Sequence, residues 1–167
     1  MDNYYEYFVN KGNHPDKRKI LKLETNFIFE SFAPSDAYQI AEFIIGKMNE
    51  EGKSVGVRIN YKDVIIFQYL MNDKFESCLD WLSRKERVVQ KYGHSSFYIF
   101  LDSIDNYTKY QEIINDKTYA VCGGSFPIIV NNEMMGSITV SGLRPHEDHQ
   151  LIIEALNSYF LDNNYCM

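Results

Sequence analysis

Cysteine is scarce and scattered in this 167-residue chain. Cys78, Cys122 and Cys166 are odd in number, make no Cys-x-x-Cys pair and build no disulfide framework. A reducing cytoplasm is therefore the expected compartment. No apolar run approaches the ~20 residues that cross a bilayer. The start, Met1-Asp2-Asn3-Tyr4-Tyr5-Glu6, lacks the basic and then apolar segments of a secretory signal. Positive charge is in deficit: 17 Lys and Arg face 23 Asp and Glu, for a net charge of −6. Such a surface repels phosphate backbones, so nucleic acid is not an expected partner, and without a spanning run neither is a membrane. The basic cluster Lys17-Arg18-Lys19 with Lys22 reads as a solvated face. Motifs of phosphate binding (Gly-x-x-x-x-Gly-Lys, Gly-x-Gly-x-x-Gly) and of serine nucleophiles (Gly-x-Ser-x-Gly) are missing. Repeats and Gly, Ser or Pro-rich linkers are missing too.

What is present is a hydrophobic content of 45% and an aromatic content of 15%, with 13 Tyr, 11 Phe and one Trp. That suffices for a core, for sticky interfaces or for a pocket around a flat ligand. The length fits one domain. Residues 1–22 are polar and uneven and read as an N-terminal arm or short helix, with 23–167 as the single domain.

Phe27 to Phe32 reads as a strand by its aromatic content. Pro34-Ser35-Asp36 starts a helix, with a cap at Ser35 or Asp36. Ala37, Ile40, Ala41, Ile44, Ile45 and Met48 then repeat at helical spacing up to Gly52. Val55, Val57 and Ile59 alternate with Ser54, Gly56, Arg58 and Asn60, and a turn at Tyr61-Lys62 leads into 64–71. That second run is apolar on both faces apart from Gln68, which predicts a central strand buried on both sides. Phe75 to Tyr92 is helical, with Phe75, Cys78, Leu79, Leu82 and Val89 on one stripe that Lys85 and Glu86 interrupt. Those two charges must line a cavity, cross a subunit interface or ride a helix that tilts outward. Residues 95–105 suit strand or helix, with helix preferred, and 107–115 suit a short helix. Three short strands are expected at 119–122, 126–131 and 134–141, followed by a helix after Pro145 with Ile152, Ala155, Leu156, Tyr159 and Phe160 on one face. Antiparallel strands with segregated helices make an α+β layer fold.

The C-terminal block carries a resemblance. Gly123-Gly124-Ser125-Phe126-Pro127-Ile128, then Met135-Gly136-Ser137-Ile138-Thr139-Val140-Ser141-Gly142, then His146-Glu147-Asp148-His149 is similar to the corresponding segments of the haem-degrading-domain (GlcG/HbpS-like) family. The helix 37–48, the hairpin 54–71 and the Ser83-Arg84-Lys85 helix follow the family's order, and Gly93-x-Ser95-Ser96 resembles an uncharacterised branch of it. The resemblance spans roughly residues 24–160. It implies a profilin-like three-layer α+β sandwich with a mostly antiparallel sheet, a homo-oligomer, and the ability to hold a ligand such as haem. Two departures stand out: Ser125-Phe126 lengthens the spacing from the double glycine to Pro127, and Glu86 follows Lys85 where many relatives have a small residue.

Candidate ligand-binding residues follow from charge and small neighbours. Arg58 lies on the polar face of its strand near Gly56. Arg84, Lys85 and Arg87 form a basic patch in an acidic protein, able to face haem propionates or another small acidic ligand, or to form ion pairs with Glu86 or a neighbouring subunit. His94, Ser95 and Ser96 could rim a polar pocket at a new helix start, or merely cap it. In His146-Glu147-Asp148-His149 the two histidines are three apart and need a third ligand from elsewhere to hold a metal. His149 is the candidate haem or metal ligand, beside a capping or interface role. Three functions thus compete: haem or small-molecule binding, a non-catalytic oligomeric scaffold, and a metal-dependent hydrolase or lyase. The sequence leaves open whether any reaction is catalysed.

Overall fold

The computed structural model describes residues 14–163. The part of the expected arm at 1–13 and the third cysteine, Cys166, lie outside them. Helix α1 (Lys17–Asn26) leads to a short strand β1 (Ile28–Phe29), then helix α2 (Pro34–Glu50) and the hairpin β2 (Gly56–Tyr61) and β3 (Val64–Leu70). Three helices follow, α3 (Glu76–Tyr92), α4 (Ser96–Asp105) and α5 (Tyr107–Asn115). The hairpin β4 (Ser125–Val130) and β5 (Glu133–Ser141) and a last helix α6 (Pro145–Asp162) complete the fold.

The sheet order is β1-β4-β5-β2-β3. Among the described residues only β1, beside β4, runs parallel to its neighbour. Helices cover both faces, so the layers are helix, sheet and helix, and the α+β three-layer class expected from the sequence forms. One face of the sheet is apolar. Val57, Ile59, Phe126, Ile128, Ile138 and Val140 meet Ile40, Ile44 and Met48 of α2 and Ile152, Leu156 and Phe160 of α6 in one buried cluster. Each such side chain contributes about 1.5–3 kcal/mol by leaving water. The helical spacing read along α2 is the reason it lies here: Ala37, Ile40, Ala41, Ile44 and Met48 are all buried. Pro34 opens that helix, and the Asp36 carboxylate reaches back to accept the Ala33 N–H at 2.7 Å.

Three expectations are corrected. The strand 64–71 is not central. Lys62 and Asp63, both at positive φ, close a tight turn that fixes β3 beside β2, and β5 occupies the other edge of β2. β3 is thus an edge strand, and Val64, Ile65 and Tyr69 are exposed. The strand expected at 119–122 does not form. Its backbone bonds elsewhere, with Ala120 N donating to the Arg84 carbonyl and Cys122 N to the Ala120 carbonyl. The first strand shrinks to Ile28–Phe29. Residues 96–105 take the preferred helical form.

Candidate functional site

The second face of the sheet is unlike the first. Strand residues two apart share a face, and here Gly56, Arg58 and Asn60 of β2 and Ser137, Thr139 and Ser141 of β5 are polar or small. The register aligns Ser125, Thr139, Arg58 and Gln68 in one row across β4, β5, β2 and β3. Ser125 Oγ and Thr139 Oγ1 are 2.8 Å apart, and Arg58 Nε donates to Gln68 Oε1 at 2.8 Å. Helix α3 covers this row, so the charges that break its apolar stripe have polar ground beneath them.

Lys85 and Glu86, adjacent on α3, turn to different partners. Lys85 Nζ donates to Asp148 Oδ2 at 2.8 Å and to the Val140 carbonyl at 3.1 Å. The other Asp148 oxygen accepts the Leu143 N–H at 3.0 Å. Burial alone would depress the Lys85 ammonium, but the Asp148 carboxylate holds it above the ordinary lysine value. Burial in turn pushes the Asp148 carboxyl up, against the pull of Lys85. Glu86 Oε2 meets Arg58 Nη1 at 3.2 Å, and that guanidinium also donates to Ser83 Oγ at 2.9 Å. Both pairs are buried, so neither a cavity nor a second subunit is needed to enclose Lys85 and Glu86. The double glycine makes room for the first pair: Gly124 has φ +124, and a Cβ there would sit 2.7 Å from Lys85 Nζ and 2.6 Å from the Val140 carbonyl oxygen. Cys122 is close by, its thiol pushed up by burial.

The other expected site residues lie apart from these pairs. Arg84 stacks over Trp81 at 4.3 Å and donates to the Tyr119 carbonyl. His94 Nδ1 lies 2.8 Å from Glu24 Oε2, and the other oxygen of that carboxylate accepts the Ser95 N–H at 2.7 Å. The hydrogen bond with Glu24 raises the His94 imidazole above its ordinary value. Ser95 Oγ caps α4 by accepting the Tyr98 N–H, and Ser96 Oγ bridges to the backbone of Ser125. Composition alone gave no sign of Glu24, which is buried on the face that α1 turns to α4.

His149 is the anomaly. It is 3% exposed, and neither ring nitrogen has a hydrogen-bond partner. Burial drives its pKa down to about 3, so the ring is neutral. Its neighbours are aromatic: the ring centroids of Phe97 and Phe126 lie 4.8 and 6.1 Å away. Among the described residues no group of three His, Cys, Asp or Glu side chains gathers to hold a metal ion. Within the described residues, the pair His146 and His149 therefore finds no third protein ligand.

A cleft of about 330 Å³ opens where the β2–β3 turn, the start of β5 and α3 meet, lined by Asn60, Lys62, Gln90, Met134, Met135 and Ser137 among others. That is near the lower end of the ~300–1,000 Å³ range of ligand pockets. Ser137 ties it to the buried charges, its Oγ lying 3.5 Å from Glu86 Oε1. No residue singled out from the sequence as a ligand contact lines it. The alternation of Ser137, Thr139 and Ser141 was the signal available, since it marks a polar inner face.

Haem would need an iron donor, a slot for its ring and donors for its propionates. His149 fits the first requirement, as a neutral imidazole with both nitrogens free. It does not fit the second, because the ring is buried with Phe97 and Phe126 packed against it. The cleft offers two thioethers and Lys62 but no imidazole.

The profile of the family described as "Haem degrading protein HbpS-like" matches residues 32–157. A UPF0303 protein of Streptomyces coelicolor is 28% identical over 148 residues, covering 87% of this chain and 94% of its own. Among solved structures, the Ybr137w protein superposes with a TM-score of 0.81 at 22% identity, over 99% of this chain and 98% of its own. A chain solved as a PduOC–haem complex gives 0.65 at 12% identity, over 77% of this chain and 94% of its own. These structures share the fold.

Proposed function

Because the chain belongs to the HbpS-like haem degrading protein family, we propose that it is a haem-binding or small-molecule-binding protein that holds its ligand rather than transforming it, with the cleft beside Lys62 as the binding place. The observation that carries this reading is that cleft, where Lys62 can face an acid group and Ser137 leads to the buried Glu86. The haem complex of the PduOC neighbour supports the choice of ligand. The reading is of binding because the buried charges Lys85, Asp148, Arg58 and Glu86 are engaged with one another.

Absorbance titration of the purified protein with haem tests the proposal, repeated for His149→Ala and for the double variant Met134→Ala/Met135→Ala. The expected result is a saturable Soret shift at about one haem per chain, lost in the double methionine variant and kept in His149→Ala. Loss only in His149→Ala would move the ligand to that imidazole. A flat response of the unmodified protein would sink haem binding.

A second reading, a homo-oligomeric scaffold, has its own support. Val64, Ile65 and Tyr69 on the open edge strand and Tyr38 on α2 are all about half exposed, at 57%, 50%, 49% and 59%. Apolar side chains on an unpaired edge invite association with another copy. Sedimentation of Val64→Lys/Tyr69→Lys against the parent tests it, and an unchanged mass for the variant would count against this edge as the interface.

A further inference from the structure

The cleft between α3, the β2–β3 turn and the start of β5 has a buried end and an open mouth. At the buried end stands Ser137, 2% exposed, whose hydroxyl donates to Glu86 Oε1 at 3.5 Å, the outer limit of a hydrogen bond. Arg58 holds Glu86 Oε2 at 3.2 Å, but Oε1 has no other partner among the described residues. A carboxylate oxygen accepts about two hydrogen bonds, so acceptor capacity is left over behind the cleft wall. The mouth is of mixed sign. Lys62 Nζ lies 5.4 Å over the Tyr61 ring and Asp63 lines the same mouth, yet neither forms an ion pair with a described residue. Met134 and Met135 supply apolar wall, and the Asn60 and Gln90 side-chain amides have no hydrogen-bond partner among the described residues.

We propose that the cleft takes a small zwitterion of the α-amino acid class, its ammonium donating to Ser137 Oγ at the buried end, its carboxylate meeting Lys62 at the mouth, and its side chain against Met134 and Met135. This rests on the cleft being the binding place and specifies the small-molecule ligand. Ser137 sets the polarity. Its single proton is committed to Glu86, so it offers the cleft only lone pairs, and the carboxylate behind it favours a cation over a neutral donor. Lys62 sets the other end by charge. A ligand of one sign fits less well, because an anion would meet Asp63 and a cation would meet Lys62. The volume of about 330 Å³, near the lower end for ligand pockets, suits a compact molecule. The two amides each donate and accept, so they serve either end.

Isothermal titration of the full chain with L-methionine tests this, beside N-acetyl-L-methionine, which lacks the ammonium, and L-methioninamide, which lacks the carboxylate. The parent should bind L-methionine saturably at about one per chain. The N-acetyl form should bind about tenfold or more weakly, because a hydrogen bond from a charged group is lost. The amide should bind about twofold to fivefold more weakly than L-methionine, because the Lys62 pair is open to water. Ser137→Ala should reproduce the first loss for L-methionine and leave the N-acetyl form unchanged. Lys62→Gln should reproduce the second and leave the amide unchanged. The ligand series on the parent decides the matter even where a variant folds poorly. No saturable heat at millimolar L-methionine, or equal affinity for the three ligands, would overturn the zwitterion. So would a loss that follows Asp63→Asn in place of Ser137→Ala. Hemin titrated into the same proteins separates this inference from the reading beneath it. Hemin uptake that needs Met134 and Met135, without amino-acid binding, overturns the zwitterion and leaves the cleft as a ligand site. Binding of neither overturns both.

Discussion

Lys85 Nζ lies 2.8 Å from Asp148 Oδ2 across the junction of α3 and α6, and both side chains are almost wholly buried, at 3% and 1% exposure. Removing one partner leaves the other charged in a low-dielectric site. Lys85→Met or Asp148→Leu alone should each cost roughly 3–5 kcal/mol, whereas the double variant should cost much less than the sum. Urea denaturation of the four proteins checks this, and additive losses would show that the two charges do not couple.

Gly124→Ala should destabilise beyond backbone strain. The φ of +124 already disfavours a side chain, and the new Cβ would meet both Lys85 Nζ and the fixed Val140 carbonyl. We expect a loss greater than the ~1 kcal/mol typical of a Gly to Ala change at positive φ alone. A melting temperature within a degree of the parent would contradict the close approach.

His149 governs the acid side of the stability curve. The native ring stays neutral down to about pH 3, while the unfolded chain takes up a proton near pH 6.5. Stability should therefore fall as pH drops from about 6.5 toward 3, by on the order of 4–5 kcal/mol in full. His149→Phe should be at least as stable as the parent at pH 7 and should lose less on going to pH 4. Equal acid sensitivity of the two proteins in urea melts would rule this account out.

His94 works in the opposite sense. Its pKa is raised, first by the hydrogen bond with Glu24, with Asp102 adding to and burial and Lys109 opposing that effect. A raised histidine contributes its full stabilisation below its unfolded value and loses it as pH climbs through its folded one. Docking of α1 should thus be firm below about pH 6.5 and loosen above it. Hydrogen exchange of the Ser95 amide, which donates to Glu24, reports this once normalised to the intrinsic rate. A protection factor that is flat from pH 6 to 8.5, or one that varies equally in His94→Gln, would refute it.

Much of the architecture was legible because it is local. The stripe of α2, the helix after Pro145 and the Asn131-Asn132 turn, with both residues at positive φ, are decided by spacing and turn chemistry within a few residues. The edge position of β3 was not, because an apolar run reads alike whether both its flanks are paired or one is open. His149 was legible as a candidate donor but not as an unpartnered one.

By itself, then, the sequence determined the helices and the two hairpins, the three-layer α+β class and the family, along with the fact that two charges break the stripe of α3. Only the tertiary structure decided where those charges go. Lys85 and Asp148 are 63 residues apart, and Glu24 lies 70 and 71 residues from His94 and Ser95. Such pairings follow from sheet register and from which helix lands on which face. A side chain's own neighbours in sequence carry no record of either, because they are settled by packing between segments that meet only when the whole chain folds.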